Sequence, residues 1–291
     1  MSTTLSRKAT PWLFLAPALI VLGVFVGWPM VSSAITSLTD ARIAGTPKFI
    51  GLDNYVALFS DPRFTGALGN TALYALGTAP ISVVLALLFA VLLNRRIPGR
   101  DFFRAVLFFP FIVSLGIISI AWGFMLDPQV GVLTAWLSEL GVPIGNGIRD
   151  PAWALPFVMV VGIWRNVGFF MVMYLAGLQS IPGELYEAAQ IDGAGPWQRF
   201  RSITLPLLSN TSMFVVMVAA IFAFQAFDQI YVMTAGGPFF RTETMVMYIY
   251  STAFQDFKMG YATAISWVLV LIVLALSLVQ LRFFNRRTVS Y

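Results

Sequence analysis

Residues 179–208 read QSIPGELYEAAQIDGAGPWQRFRSITLPLL and separate two long apolar stretches of the chain. Pro182 and the carboxylates that follow it predict a short helix, because proline suits the first helical turn and acidic side chains suit its positive end. The run GAGP at residues 193–196 ends that helix, and a second short helix is expected over about residues 197–203. The segment is therefore predicted to form a helix-turn-helix and not a plain connection.

The first half of this segment is acidic, with Glu184, Glu187 and Asp192. A helix that rests on anionic lipid headgroups is instead rich in Lys and Arg on its polar face. Small side chains let the backbone of another protein approach closely. Such side chains are provided here by Ala188, Ala189, Gly193 and Ala194. These features favour a surface that docks another protein over a helix that lies on lipid.

The rest of the chain is too apolar for a soluble domain. Of its 291 residues, 58% are apolar and 11% are charged, against about 45–50% and about 25% in soluble proteins. An ionised side chain at the bilayer centre costs at least ~2.5 kcal/mol, so windows without charge mark membrane spans of about 20 residues. A window at residues 151–183 is broken only by Arg165, and the charge-free windows are residues 9–39, 64–94, 105–126, 202–227 and 259–281. We predict an all-α integral membrane protein with six transmembrane helices.

Basic residues in the connecting segments predict the orientation, because Lys and Arg favour the cytoplasmic side. With the N-terminus inside, eleven of the eighteen basic residues lie in inside segments, six lie in outside segments and Arg165 lies within a span. This bias predicts that both termini are cytoplasmic. The predicted organisation is an N-terminal segment with the first span and an outer loop over residues 1–63, a core over residues 64–283 and a cytoplasmic tail over residues 284–291.

The residue types that are missing exclude several kinds of chemistry. The chain has no Cys and no His, so thiol nucleophiles, imidazole bases and the usual soft metal ligands are absent. Its lysines are Lys8, Lys48 and Lys258, and none follows a glycine as the phosphate-binding motif GxxxxGK[ST] requires. We therefore predict no catalytic residues, no metal site and no cofactor in this chain, and any ATP must be hydrolysed on another polypeptide.

The run EAAQIDGAGPWQRFRSITLPLL at residues 187–208 resembles the EAA loop of binding-protein-dependent ABC importer permeases. The positions that carry the pattern are Glu187, Ala188, Ala189, Gly193, Ile203, Leu205 and Pro206. The flanking runs WRN at 164–166, LAGLQ at 175–179 and TAGGP at 234–238 resemble those of carbohydrate-uptake permeases similar to the maltose, trehalose and glycerol-3-phosphate systems.

This resemblance implies a type I ABC importer permease fold in the cytoplasmic membrane of a prokaryote. It implies that the loop docks on an ATPase through Glu187, Ala188, Ala189, Asp192, Gly193 and Ala194. The implied partners are a second homologous permease subunit, two ATP-binding-cassette ATPase subunits that hold ATP and Mg, an extracytoplasmic solute-binding protein and membrane lipid. No nucleic-acid partner is expected, and the implied solute is a carbohydrate or a polyol.

Two other classes remain as alternatives. A secondary transporter driven by an ion gradient usually places ionisable residues deep in the membrane, where this chain offers Arg165 and Asp228. A membrane-embedded enzyme requires paired carboxylates or a nucleophile with a base. Neither class explains the acidic loop at residues 179–208. Within the importer class, glycerol-3-phosphate or another sugar phosphate is the alternative solute.

The predicted substrate pathway runs along the fourth span. Gly162, Asn166 and Phe169 lie on one helix face by their spacing, and Arg165 must face protein or water because burying it unpaired is costly. By the resemblance, this face lies opposite Ala219, Phe222, Ala223 and Ala226. Gln225 and Asp228 are the nearest polar candidates on the fifth span. Arg165 is either a donor to solute oxygens or a brace that forms an ion pair or caps carbonyls between helices, and we favour the brace.

Overall fold

A computed structural model of the protein describes residues 3–95, 97–142 and 144–285. Residues 1–2 of the predicted N-terminal segment and residues 286–291 of the predicted tail lie outside the described residues. Within the described ranges the regular elements are helical, and an isolated antiparallel bridge joins Thr39 to Phe49. The predicted all-α class is confirmed. The division of the chain at residues 63 and 283 stays a prediction.

The α-helices are α1 (Thr3–Leu22), α2 (Trp28–Ser37), α3 (Asp53–Phe59), α4 (Pro62–Leu93), α5 (Arg100–Ile112), α6 (Leu115–Met125), α7 (Val132–Glu139), α8 (Ala154–Gln179), α9 (Gly183–Ile191), α10 (Pro196–Arg199), α11 (Leu205–Leu207), α12 (Ser209–Phe224), α13 (Asp228–Met233), α14 (Met245–Tyr250) and α15 (Met259–Asn285). Short π-helical turns occupy Gly23–Gly27, Phe200–Thr204 and Ser251–Gln255, and a 3₁₀ turn occupies Gly147–Arg149.

Five stretches of the described chain are long and apolar enough to cross a membrane. They are Pro11–Ser37, Pro62–Leu93, Ala154–Gln179, Ser209–Met233 and Met259–Phe283. A sixth span is present if α5 and α6, which meet at 97°, are taken together. The predicted six helices agree with this upper count. The cytoplasmic location of both termini stays a prediction.

The third span is the first correction to the sequence analysis, which expected one continuous helix over residues 105–126. The chain leaves the helix at Val113 and Ser114, where the backbone is extended, with φ −71° and ψ 144° at Val113. Pro110 lies in the last turn of α5 and has no N–H to donate, which weakens the helix just before the bend. A charge-free window indicates only the length and polarity of a span, so it cannot predict a bend within that span.

The fifth span is the second correction, because the window 202–227 is not one helix. α12 ends at Phe224, Gln225 follows as its C-cap, and Phe227 leaves helical geometry with φ −138° and ψ −60° before α13 begins at Asp228. A carboxylate in the first turn suits the positive end of a helix. Gln225 and Asp228 therefore lie at an interruption and not on a continuous fifth helix.

The chain forms two compact units. In the first, which combines the part up to Asp61 with Ile249–Leu269, the Asn54 side-chain amide donates to the carbonyls of Ser37 and Thr39 at 2.8 and 2.9 Å. The Tyr261 hydroxyl donates to Asp61 at 2.7 Å. The Asn54 contacts join α3 to the end of α2 and the segment after it. The Tyr261 contact joins the start of α15 to the segment after α3.

The second unit combines Pro62–Tyr248 with the part from Val270 onward, and its core lies among α4, α8 and α12. The buried side chains of this core include Ala86, Ala90, Phe170, Met171, Tyr174 and Val215. α5 also packs against α8 at Gly168, where a Cβ atom would overlap the Leu107 carbonyl group. The absence of a side chain at Gly168 therefore permits the close approach of the two helices.

Candidate functional site

A cavity of about 260 Å³ lies in the second unit, bordered by α4, α8, α12 and the start of α13. The predicted pathway residues that line it are Gly162, Arg165, Asn166, Phe222, Gln225 and Asp228. The small residues expected opposite them, which also line it, are Ala219, Ala223 and Ala226. The interruption after Phe224 brings Gln225 and Asp228 to this cavity.

Phe169 is not among the residues that line the cavity. Its ring stacks on Phe111 with a centroid distance of 4.3 Å and an interplanar angle of 11°, and on Phe222 at 5.9 Å. Phe111 and Phe222 both line the cavity. Phe169 therefore packs against two aromatic side chains of the cavity wall.

Arg165 points its guanidinium group toward the cavity wall formed by α5. The guanidinium carbon lies 4.8 Å from the centroid of the Phe111 ring, a cation–π arrangement. Nη1 donates to the Asn166 side-chain oxygen at 3.3 Å, while Nε is buried without a hydrogen-bond partner in the described part of the chain. Among the described residues, Arg165 forms no ion pair within 4 Å and caps no backbone carbonyl, so its role as a brace or as a donor to solute stays a prediction. Its connection between helices is the contact with Phe111.

A polar stripe on α4 was not predicted from the sequence. Tyr74, Thr78 and Ser82 are spaced four residues apart, are buried and line the cavity. The Gln229 side-chain amide, at the start of α13, donates to the Tyr74 hydroxyl at 2.7 Å. Residues spaced by four lie on one helix face, so the spacing of this stripe is visible in the sequence of the charge-free window 64–94. The spans were predicted from charged residues alone, and hydroxyl groups were not considered.

Gly162 on α8 provides the room for this hydrogen bond. A Cβ atom at that position would overlap the Tyr74 hydroxyl oxygen. The glycine is therefore required by the close approach of the Tyr74 side chain, and the cavity wall there consists of backbone.

The cavity offers aromatic faces, amides, hydroxyls, one guanidinium and one carboxylate. This set suits a hydroxylated solute, whose apolar faces pack on rings while its hydroxyl groups hydrogen-bond to fixed polar groups. Among the described residues, no group of three or more acidic side chains is arranged to hold a metal ion.

The segment at residues 179–208 forms the predicted first helix as α9, which ends two residues before Gly193. Gly193 has a φ of +77°, a left-handed conformation that favours glycine. The predicted second helix over about residues 197–203 is also present, as α10 followed by a π-helical turn, and the chain continues through α11 to the start of α12. Pro206 lies inside this continuous path.

The six residues that were predicted to dock an ATPase lie at the surface of the described chain. Glu187, Ala188, Asp192 and Gly193 are exposed, and Ala189 and Ala194 are partly buried. Between them Ile191 is 87% exposed, an unusual position for so large an apolar side chain. The Tyr186 hydroxyl hydrogen-bonds to the Thr204 hydroxyl at 2.9 Å, which ties α9 to the turn that leads into the fifth span.

The loop between α13 and α14 is held by an ion pair that the sequence analysis did not anticipate. The Arg63 guanidinium donates to both carboxylate oxygens of Glu243, at 2.9 and 2.7 Å, and lies 4.7 Å from the centroid of the Phe240 ring. The Asn70 amide donates to the carbonyls of Phe240 and Glu243. Arg63 and Glu243 are 180 residues apart in the chain, so no local pattern indicated the pair.

A family model described as "Binding-protein-dependent transport system inner membrane component" matches residues 55–288. The probable ABC transporter permease protein YurN of Bacillus subtilis is 38% identical to this chain over 284 residues and covers 96% of it and 97% of its own length. The lactose transport system permease protein LacF of Rhizobium radiobacter is 37% identical, with 92% of each chain covered. The sn-glycerol-3-phosphate transport system permease protein UgpA of Agrobacterium fabrum is 33% identical, with 98% of each covered.

Solved structures agree with these relatives. The chain superposes on a crystal structure of a bacterial ABC transporter involved in the import of the acidic polysaccharide alginate, with a TM-score of 0.85, 25% identity and 97% of each chain covered. A structure of the bacterial alginate ABC transporter in complex with an alginate pentasaccharide-bound periplasmic protein gives a TM-score of 0.83 at 25% identity, covering 96% of this chain and 95% of that one. These findings confirm the resemblance on which the sequence analysis relied. The chain therefore belongs to the family of binding-protein-dependent transport system inner membrane components, the permease subunits of ABC importers, and is a multi-pass protein of the cytoplasmic membrane.

Proposed function

We propose that this permease subunit conducts a carbohydrate or a related polyol across the membrane, driven by ATP that is hydrolysed on a separate subunit. The observation that carries the proposal is the cavity, in which the rings of Phe111 and Phe222 lie beside the polar groups of Arg165, Asn166 and Gln229. Sugars present both apolar C–H faces and hydroxyl groups, so a wall that combines rings with amides matches their surface.

The named relatives support the same class of solute. Their names refer to lactose and to sn-glycerol-3-phosphate, and the structural relative imports alginate. All three are hydroxylated molecules. Two of them carry negative charge, which makes a sugar phosphate or another anionic sugar the second candidate.

For this second candidate, Arg165 is the supporting observation. Its guanidinium borders the cavity and its Nε has no hydrogen-bond partner among the described residues. A guanidinium group forms forked hydrogen bonds with phosphate and carboxylate oxygens. An anionic solute would therefore gain a charge partner at this wall, while a neutral sugar would gain a hydrogen-bond donor.

Coupling to ATP hydrolysis is proposed to run through the surface of α9 and the turn after it. This surface is acidic and exposes Ile191, and its small residues leave the backbone accessible. The Tyr186–Thr204 hydrogen bond links the surface to the fifth span, which also contributes to the cavity wall. A displacement of α9 by a docked ATPase would therefore be transmitted along the fifth span to the cavity wall.

The proposed partners are a second homologous permease subunit, two ATPase subunits that hold ATP and Mg, and an extracytoplasmic solute-binding protein. The solute-binding protein is supported by the alginate transporter structure, which contains a periplasmic protein with its bound oligosaccharide. The ATPases are supported by the exposed α9 surface.

The proposal is tested with the importer purified together with its co-purifying subunits and reconstituted in proteoliposomes. Uptake of radiolabelled sugar should require ATP on the side of the ATPases and should persist after ionophores have dissipated all ion gradients. Uptake without ATP that an ionophore abolishes would instead support a secondary transporter. A thermal-shift screen of the cognate solute-binding protein identifies the solute, because a bound ligand stabilises the folded state. Stabilisation by peptides or amino acids alone would contradict the carbohydrate proposal.

A further inference from the structure

A second recess of the unit formed around α4 and α8, here called the α4 groove, lies between the end of α4 and the segment that follows α9. Its volume is about 810 Å³. One wall is a stripe formed by Val84, Leu87, Leu88 and Val91 of α4 and by Asn94 and Arg95 just after it. At a rise of about 1.5 Å per residue, this stripe is about 16 Å long. Along it, the wall changes from purely apolar to polar and basic.

The opposite wall comes from the segment that contains α10. Trp197 and Phe200 stack with a centroid distance of 5.5 Å and both line the groove, together with Arg199. The Nη1 atom of Arg199 donates to the Gln190 side-chain oxygen at 3.3 Å. Tryptophan is enriched where membrane proteins meet the headgroup region.

The charges that line the groove are all positive. Arg95 and Arg199 both line it, and no Asp or Glu is among its lining residues in the described part of the chain. The apolar end lies along the membrane-spanning part of α4, where Val84 is 64% exposed and Leu88 is 51% exposed. The surface is thus complementary to a molecule with one anionic end and a long apolar end.

We propose that the α4 groove binds an anionic phospholipid from the adjoining leaflet, with its phosphate between Arg95 and Arg199 and an acyl chain along Val91, Leu88 and Val84. Basic pockets beside membrane-spanning helices recognise anionic headgroups in this way. A water-soluble partner has no access to Val84, which lies within the apolar span of α4. None of the residues proposed to dock the ATPase lines the groove. Binding of lipid to the groove can therefore be tested without any measurement of transport.

A bound lipid would join α4 to the segment between α9 and α12. The headgroup would touch one arginine from each side. Tyr186 and Thr204, which hydrogen-bond to each other, also line the groove. Anionic lipid is therefore expected to hold the α9 surface in place.

The test uses the importer purified with its co-purifying subunits, in nanodiscs of equal parts phosphatidylglycerol and phosphatidylcholine with identical acyl chains. Native mass spectrometry should find phosphatidylglycerol retained over phosphatidylcholine. The double variant Arg95→Gln/Arg199→Gln should lower that retention on the order of 10- to 30-fold, as expected for two basic side chains near an anionic headgroup. The matched control is Arg201→Gln, an exposed arginine of the same segment that does not line the groove. It should retain the lipid as the wild type does.

A second variant addresses the acyl chain without changing any charge. Leu88→Trp places a bulky ring in the apolar part of the groove and should lower phosphatidylglycerol retention, while the half-exposed position leaves the core of the protein untouched. Equal retention of the two lipids by the wild type would overturn the proposal, and so would equal losses in the double variant and in Arg201→Gln. Displacement of the signal by millimolar inorganic phosphate would also overturn it, since it would indicate a site for free phosphate.

Discussion

The side-chain amide of Gln229 donates a 2.7 Å hydrogen bond to the hydroxyl group of Tyr74, and both side chains are buried. The bond joins α4 to the first turn of α13, just after the interruption of the fifth span. It fixes two polar groups that line the cavity. The broken fifth span is therefore held in place by a specific polar contact.

We predict that Tyr74→Phe destabilises the protein by about 1–2 kcal/mol, because the ring volume is kept while the buried Gln229 amide loses its acceptor. The apparent unfolding temperature of the purified complex is the measurement. In the double variant Tyr74→Phe/Gln229→Met both polar partners are gone, and most of the stability should return. A double variant less stable than the sum of its single changes would contradict this explanation.

A second prediction concerns Gly162, whose missing side chain admits the Tyr74 hydroxyl. Gly162→Ala should displace the Tyr74 ring, lower the unfolding temperature and reduce transport. The matched control is Gly69→Ala on α4, where a Cβ atom meets no other atom within 4 Å. That control should be neutral or slightly stabilising, since alanine favours a helix by about 1 kcal/mol over glycine. Equal effects of the two substitutions would show that the Tyr74 contact is unimportant.

The fold of the segment at residues 179–208 was largely predictable from sequence, because its signals are local. Pro182 begins α9, and the run at residues 193–196 ends it through the left-handed backbone of Gly193. The spans were predictable from the cost of charge in lipid. In contrast, the bend after Ile112 and the interruption after Phe224 leave the composition of their windows unchanged, so hydropathy cannot reveal them.

The cavity was predictable only in part. The α8 residues Gly162 and Asn166 share a helix face by a spacing that the sequence displays, and they line the cavity together with Arg165. The contributions of Tyr74 and Gln229 depend on which helices become neighbours, since these two residues are 155 positions apart. The Arg63–Glu243 pair was unpredictable for the same reason. The spacing of residues in one sequence indicates the faces of each helix, but it does not show which faces of different helices pack together.

The third prediction tests docking at Gly193. Gly193→Leu introduces a bulky side chain and strains a backbone with φ +77°, so solute-stimulated ATP hydrolysis by the reconstituted complex should fall at least tenfold. Membrane insertion, measured by fractionation, should be normal. The control Gly195→Leu adds the same bulk where φ is −67°, an ordinary value, and should retain more activity. Full ATP hydrolysis in Gly193→Leu would refute the coupling role of this surface.

The fourth prediction concerns the loop held by Arg63. The Glu243 carboxylate is 2% exposed and the Arg63 side chain is 29% exposed, so Arg63→Gln leaves a buried charge without its bidentate partner. We expect a loss of about 3 kcal/mol in stability, seen as a lower unfolding temperature. Adding Glu243→Gln to that variant removes the unpaired charge and should recover part of the loss. Without any such recovery, the electrostatic account of the loop would be wrong.

The last prediction separates the two roles of Arg165. Its guanidinium faces the cavity, contacts Phe111 at 4.8 Å and makes no ion pair among the described residues. We therefore expect Arg165→Gln to assemble with normal yield and to reduce uptake about tenfold or more, with the larger effect on an anionic sugar, whose charge needs a partner when it leaves water. Arg165→Lys keeps the charge but loses the forked pair of hydrogen-bond donors, so it should preserve part of the uptake of an anion.

The measurement compares purified yield with initial uptake rate for each variant and for both a neutral and a phosphorylated sugar. If Arg165→Gln lowers yield and thermal stability whatever solute is offered, Arg165 is a brace between helices, and the solute must be held by the amide and aromatic side chains of the cavity.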